Sequence, residues 1–113
     1  MAFDQSQNVA PEDVPERVET LLDSEDRVLF IKGTPQQPQC GFSQRAVGTL
    51  ARRDVEFECV NVLPALAAYR EALESHSGWE TIPQLYVDGE FVGGSDIIVE
   101  LEERGELASA LDA

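Results

Sequence analysis

Residues 38–43 read Pro-Gln-Cys-Gly-Phe-Ser, and the chemistry this chain can do begins there. A thiol–disulfide loop usually has a second cysteine three residues after the first, because that second thiolate attacks the mixed disulfide formed by the first. Here position 43 is serine. Its hydroxyl and backbone N–H can hydrogen-bond a sulfur, but it cannot release a mixed disulfide. Cys40 follows a loop, Gly33 to Gln39, in which Pro35 and Pro38 forbid helix and strand, and it precedes a helical pattern. A thiol at a helix start meets unpaired N–H groups and the positive end of the helix dipole, which stabilise its anion. Lys32, the only lysine in the chain, stands just before the loop and adds a positive charge. Gly41 lets backbone come close to a ligand. Cys59 alternates with Glu56 and Glu58 and reads as core packing. Two cysteines make neither a disulfide framework nor a zinc site, and a disulfide between them would not persist in a reducing cytosol. His76 has no partner for ligation and reads as a surface residue.

The elements that must position Cys40 follow from period and punctuation. Residues 1–10 carry no apolar period and read as a flexible leader, leaving 11–113 as one domain. Asp13, Pro15 and Glu16 mark a helix start, with Val14, Val18, Leu21 and Leu22 at helical spacing. Val28 to Ile31 is a continuous apolar run, as in a strand covered on both faces. From Cys40 to about Arg53 the period is helical, placing Phe42, Ala46, Val47 and Leu50 on one face. Val55, Phe57 and Cys59 alternate with glutamates as a second strand. A further helix follows Pro64 through Leu66, Tyr69, Arg70 and Leu73. Asp88-Gly89 between Gln84–Val87 and Glu90–Val92 predicts a hairpin. Ile97, Ile98, Leu101 and Leu107 predict one last helix. The order α-β-α-β-α-β-β-α gives an α/β domain: a mixed four-stranded sheet with helices on both faces, the arrangement of the thioredoxin-like fold.

Composition bounds the partners. The 113 residues hold 22 acids against 8 bases, a net charge of −14. Such a surface repels nucleic acid and anionic membranes, so neither is expected as a partner. With arginine supplying every base but one, the balance fits a halophilic cytosol, where molar salt shortens the Debye length to about 3 Å. No apolar run is long enough to span a bilayer and no secretory signal pattern is present, so the expected location is cytoplasmic.

Taken together, Lys32-Gly33-Thr34-Pro35, Pro38 to Ser43, Trp79, Thr81 to Val87 and Gly93-Gly94-Ser95-Asp96 resemble a monothiol glutaredoxin of the Cys-Gly-Phe-Ser class, over about residues 14–105. The resemblance implies a thioredoxin-like fold in which Pro83 is cis, and a groove for glutathione beside Cys40, Gly41, Phe42 and Ser43. Ile82 would offer backbone hydrogen bonds to the cysteinyl part of the tripeptide. Gly94, Ser95 and Asp96 would hold its γ-glutamyl end at a helix start. Lys32 and Arg70 would pair with a carboxylate at the other end, although Arg70 also reads as part of a solvated helix face. Glu80 departs from the family pattern, which has proline after the tryptophan. The thiol itself is left open between glutathione and γ-glutamylcysteine.

Ligand arithmetic then gives Ser43 a reason. A [2Fe–2S] cluster takes four ligands besides its sulfides, usually thiolates. One Cys40 and one bound small thiol make two, and a second copy of the chain makes four. A neighbouring cysteine at position 43 would divert Cys40 into a disulfide. The expectation is a cluster-bridged homodimer that passes its cluster to apo iron–sulfur proteins. The rival is an enzyme: Cys40 attacks a protein–glutathione mixed disulfide and a second glutathione resolves it. A third reading is an adaptor that binds a BolA-type protein through the same groove.

Overall fold

The computed structural model describes residues 9–53 and 55–112. A single 3₁₀ turn, Pro11–Asp13, leads into α1, Val14–Ser24, which buries Val14, Val18, Leu21 and Leu22 as their spacing predicts. Of the leader expected over 1–10, residues 1–8 lie outside the described residues, and Val9 packs against the core.

Strand β1, Arg27–Ile31, lies inside a four-stranded sheet of order β2-β1-β3-β4, with β2 at Glu58–Asn61, β3 at Gln84–Val87 and β4 at Glu90–Gly93. It runs parallel to β2 and antiparallel to β3, which pairs antiparallel with β4. Both faces of β1 are covered from Val28 to Ile31, and those four residues are all apolar. Val28 and Phe30 face α1 and α3, Leu66–Ser77, where Phe30 meets Tyr86 edge-on at 5.7 Å between ring centroids. Leu29 and Ile31 face α2, Gly41–Ala51, together with α4, Ser95–Glu103, and α5, Leu107–Asp112. The mixed α/β sheet with helices on both faces is the thioredoxin-like arrangement expected. Asp88 and Gly89 both take positive φ, 52° and 81°, as a two-residue hairpin turn requires.

Three local expectations are corrected. Strand β2 begins at Glu58, three residues later than the alternation starting at Val55 predicts. A strand needs a neighbour, and β1 pairs with β2 only from Val28 onward, opposite Glu58. Upstream, Arg27 Nε donates to the Glu56 carbonyl at 2.9 Å where a ladder bond would have been. The last helix is two: Gly105 turns left-handed at φ 73°, and Glu106 N–H returns to the Leu101 carbonyl at 2.8 Å, closing α4 before Leu107 starts α5. Phe42 leaves the core face on which its spacing places it and is 57% exposed, while Ser43 is fully buried.

Candidate functional site

At the end of β1 the backbone runs out of strand partners, and side chains take over. The Lys32 N–H donates to Ser43 Oγ at 3.1 Å, and the Gly33 N–H donates to Asn61 Oδ1 at 2.9 Å. Asn61 Oδ1 also accepts from the Leu63 N–H at 3.0 Å. From this base the 33–39 loop closes on itself. Gly33 and Pro38 form an isolated bridge, the Gln39 N–H reaches the Lys32 carbonyl at 2.8 Å, and Thr34 and Gln37 exchange backbone bonds. The loop that delivers the cysteine is thus tied at both ends.

Cys40 lands as the N-cap of α2, in extended conformation, and its sulfur accepts the Ser43 N–H at 3.3 Å. The Ser43 hydroxyl lies 3.3 Å from the same sulfur. Because Ser43 Oγ already accepts from Lys32, its proton is free to point at sulfur when Cys40 is ionised. Partial burial pushes the Cys40 thiol up. The Ser43 hydroxyl, the Ser43 and Phe42 N–H groups and the Lys32 charge outweigh it, and the net direction is down. Cys59 differs in every respect. It stands in β2 and packs against the core cluster of Leu29, Ile31 and Leu50, and burial, with the Glu58 charge, pushes its thiol up to about 12. The core-packing expectation for Cys59 agrees with this environment.

Ser43→Ala should therefore slow alkylation of Cys40 at neutral pH by roughly fivefold, the equivalent of a hydrogen bond worth about 1 kcal/mol. The sign is fixed: a thiol whose anion is stabilised reaches its plateau rate at lower pH, so the variant's rate–pH curve shifts to higher pH. Iodoacetamide kinetics followed by mass spectrometry measures it.

At Phe42, in the first turn of α2, opens a cleft of about 530 Å³, whose wall also includes Trp79, Thr81, Ile82, Pro83, Gly94, Ser95, Asp96 and Ile97. That is within the usual range for small-molecule sites. The Ile82–Pro83 peptide is cis, and Ser95 and Asp96 open α4. Gly93, at φ 156°, has no room for a side chain, since a Cβ would sit 2.5 Å from that of Ile97. Three large apolar side chains stand on the rim: Phe42, Trp79 and Ile97, respectively 57%, 59% and 41% exposed.

The sequence-predicted residues fall into three places. Phe42, Ile82, Pro83, Gly94, Ser95 and Asp96 line the cleft. Cys40, Gly41, Ser43 and Lys32 gather at the start of α2 outside the cleft wall, to which that segment contributes Phe42. Arg70 is half-buried on α3 and forms no part of the cleft wall. His76 is exposed at the last turn of α3. Sequence reasoning gave no role to Asn61 or to Gln84. The available signal for Gln84 was a polar residue at an inward position of a strand buried throughout.

The sequence pattern of the family described as Glutaredoxin matches residues 28–92. Monothiol glutaredoxin-4 of Schizosaccharomyces pombe is 47% identical over 96 residues, 85% of this chain and 39% of that protein. A protein of Synechocystis described as an uncharacterized monothiol glutaredoxin, ycf64-like, is 46% identical over 96 residues, 85% of this chain and 89% of its own. Among solved structures, reduced poplar apo GrxS14 superposes with a TM-score of 0.75 at 43% identity, covering 88% of this chain and 90% of that one.

Proposed function

This chain belongs to the glutaredoxin family, in its monothiol class, and from that membership we propose that it carries a [2Fe–2S] cluster as cargo between iron–sulfur proteins of the cytoplasm. The observation that carries the reading is the state of Cys40: a thiol at a helix N-terminus, its anion favoured by Ser43, with that serine in the resolving position. Such a sulfur is a ready soft ligand and cannot be withdrawn into a local disulfide. Each chain supplies one such sulfur, so two chains and two small thiols complete a four-thiolate shell.

The chain's own residues divide the work. The Ser43 hydroxyl, the N–H groups of Ser43 and Phe42 and the Lys32 charge favour the Cys40 anion and bring its ionisation down from the ordinary thiol value. The cleft holds glutathione or γ-glutamylcysteine, with the Ile82 backbone on its cysteinyl part and the N-terminus of α4, at Ser95 and Asp96, on its γ-glutamyl carboxylate. Lys32 and Arg70 are proposed for the carboxylate at the far end. Ligands that are half exchangeable small molecules hold the cargo loosely enough to hand it on.

The second reading is favoured by the same accessible thiolate. Cys40 attacks a glutathionylated protein, forms a disulfide with glutathione and releases the protein thiolate. A second glutathione thiolate then breaks that disulfide, leaving oxidised glutathione. Anaerobic reconstitution with iron, sulfide and glutathione separates the two. The carrier gives a brown protein that elutes as a dimer and stays colourless when glutathione is omitted. A colourless protein that rapidly reduces glutathionylated substrates decides for the enzyme.

A further inference from the structure

Between α3 and β3 the chain crosses Gly78 to Pro83 without helix or strand, yet Trp79, Thr81 and Ile82 from this crossing build one wall of the cleft. Something other than a ladder must hold it. Beneath it lies the Gln84 side chain, 1% exposed. Its Nε2 donates to the Trp79 carbonyl at 2.8 Å and to the Thr81 carbonyl at 3.1 Å. Its Oε1 accepts from the Tyr86 hydroxyl at 2.7 Å, with the Ser77 hydroxyl at 3.1 Å. The amide cannot be the other way round, because two carbonyls can only accept and so must face nitrogen. Ser77 completes the anchor, its Oγ accepting the Trp79 N–H at 3.0 Å. Three positions of the amide thus have partners of their own, and the fourth faces the Ser77 hydroxyl, whose one proton is also within reach of the Leu73 and Trp79 carbonyls at 3.0 and 3.1 Å; the two Nε2 bonds grip main chain of the cleft wall.

We propose that Gln84 is a positioning residue: its buried amide fixes the Trp79–Thr81 wall and thereby sets how tightly the cleft holds its thiol ligand. The ligand half of this rests on the proposed function. The physical reason is preorganisation, since a wall held by side chains from below need not be ordered when ligand arrives. Burial keeps Tyr86 protonated by pushing its hydroxyl's ionisation up, so the hub stays intact across the neutral range.

Trp79 is the only tryptophan, so its fluorescence reports this wall directly. Gln84→Glu is near-isosteric but places an oxygen against the two carbonyls. Protonated, that carboxyl donates to the Trp79 carbonyl, whereas ionised it repels both, and burial moves its titration upward from the ordinary carboxylate range. Gln84→Met keeps volume and loses every bond. Emission and acrylamide quenching of Trp79 are to be followed between about pH 5 and pH 9, with binding of S-methylglutathione, a redox-inert probe, by calorimetry. The expected result is a Trp79 transition with pH in Gln84→Glu that wild type lacks. In parallel, affinity for the probe is close to wild type at the acid end and roughly tenfold weaker at the alkaline end. Gln84→Met is expected to show greater Trp79 quenching and weak binding at every pH. A folded Gln84→Glu whose Trp79 signal follows wild type at all pH values, or a Gln84→Met that binds the probe as wild type does, overturns the proposal. If wild type binds neither this probe nor S-methyl-γ-glutamylcysteine, the functional reading falls, and the Trp79 signals of the two variants still decide whether Gln84 fixes the wall.

Discussion

Cys40→Ser is expected to abolish cluster assembly and the dimer with it, while Cys59→Ser keeps both. The two thiols share a chain, but their ionisations are shifted in opposite directions. Cys40 lies below the ordinary thiol range, held there by the Ser43 hydroxyl and the N–H groups of Phe42 and Ser43 against the effect of partial burial. Cys59, pushed to about 12, has a thiolate population at neutral pH of roughly one in 10⁵. A metal ligand must be the anion, so Cys59 offers almost none. A serine at position 40 cannot replace the lost ligand, because its hydroxyl ionises far above any working pH. At position 59 serine puts a hydroxyl among apolar neighbours and is expected to lower stability by about 1 kcal/mol without touching the coordinating sulfur. Visible absorbance after anaerobic reconstitution, with gel filtration for the dimer, measures both variants. Colour retained by Cys40→Ser, or lost from a folded Cys59→Ser, contradicts the assignment.

Much of what positions Cys40 was legible because it depends on local rules. The apolar run at Val28–Ile31 needs both faces covered, and Asp88-Gly89 fits few turns other than the tight hairpin found. A thiol after a proline-bearing loop and before a helical period had to fall near a helix N-terminus, and Cys40 is the N-cap. What stayed hidden depends on neighbours remote in sequence. The Val55–Phe57 alternation is as regular as that of a strand, but the residues before Arg27 offer it no edge to pair with. Phe42 obeys helical spacing yet is exposed in the first turn of α2, so an expected core residue became part of the cleft rim. Asn61 gives nothing to a pattern search. Its place follows from the sheet, which brings it alongside Ile31 so that its side chain can receive the Gly33 N–H after the ladder stops.

The same ladder end makes Gly33→Ala the most damaging small substitution expected. Gly33 has φ 100°, a region in which a side chain is strained by about 1–3 kcal/mol. An added methyl would also lie 2.5 Å from the Gln37 carbonyl oxygen and 2.8 Å from the Gln39 nitrogen. Those are backbone atoms, so no rotamer change relieves the clash. Relief requires opening the loop, which breaks the Gly33–Pro38 bridge and the Gln39 N–H bond to the Lys32 carbonyl, each bond worth about 1 kcal/mol. The expected loss is about 2–4 kcal/mol, a large share of the 5–15 kcal/mol that holds a typical domain together. If the loop opens locally, part of that loss instead appears at the thiol, because Lys32 and Cys40 are its two ends. Urea unfolding and Cys40 alkylation must therefore be read together, and at least one must change. Gly48→Ala provides the control: in the middle of α2 a Cβ there meets nothing within 4 Å, and the substitution should raise stability by up to about 1 kcal/mol. A Gly33→Ala protein that unfolds at the wild-type urea concentration and alkylates at the wild-type rate would mean that the loop is not wired to Cys40 in this way.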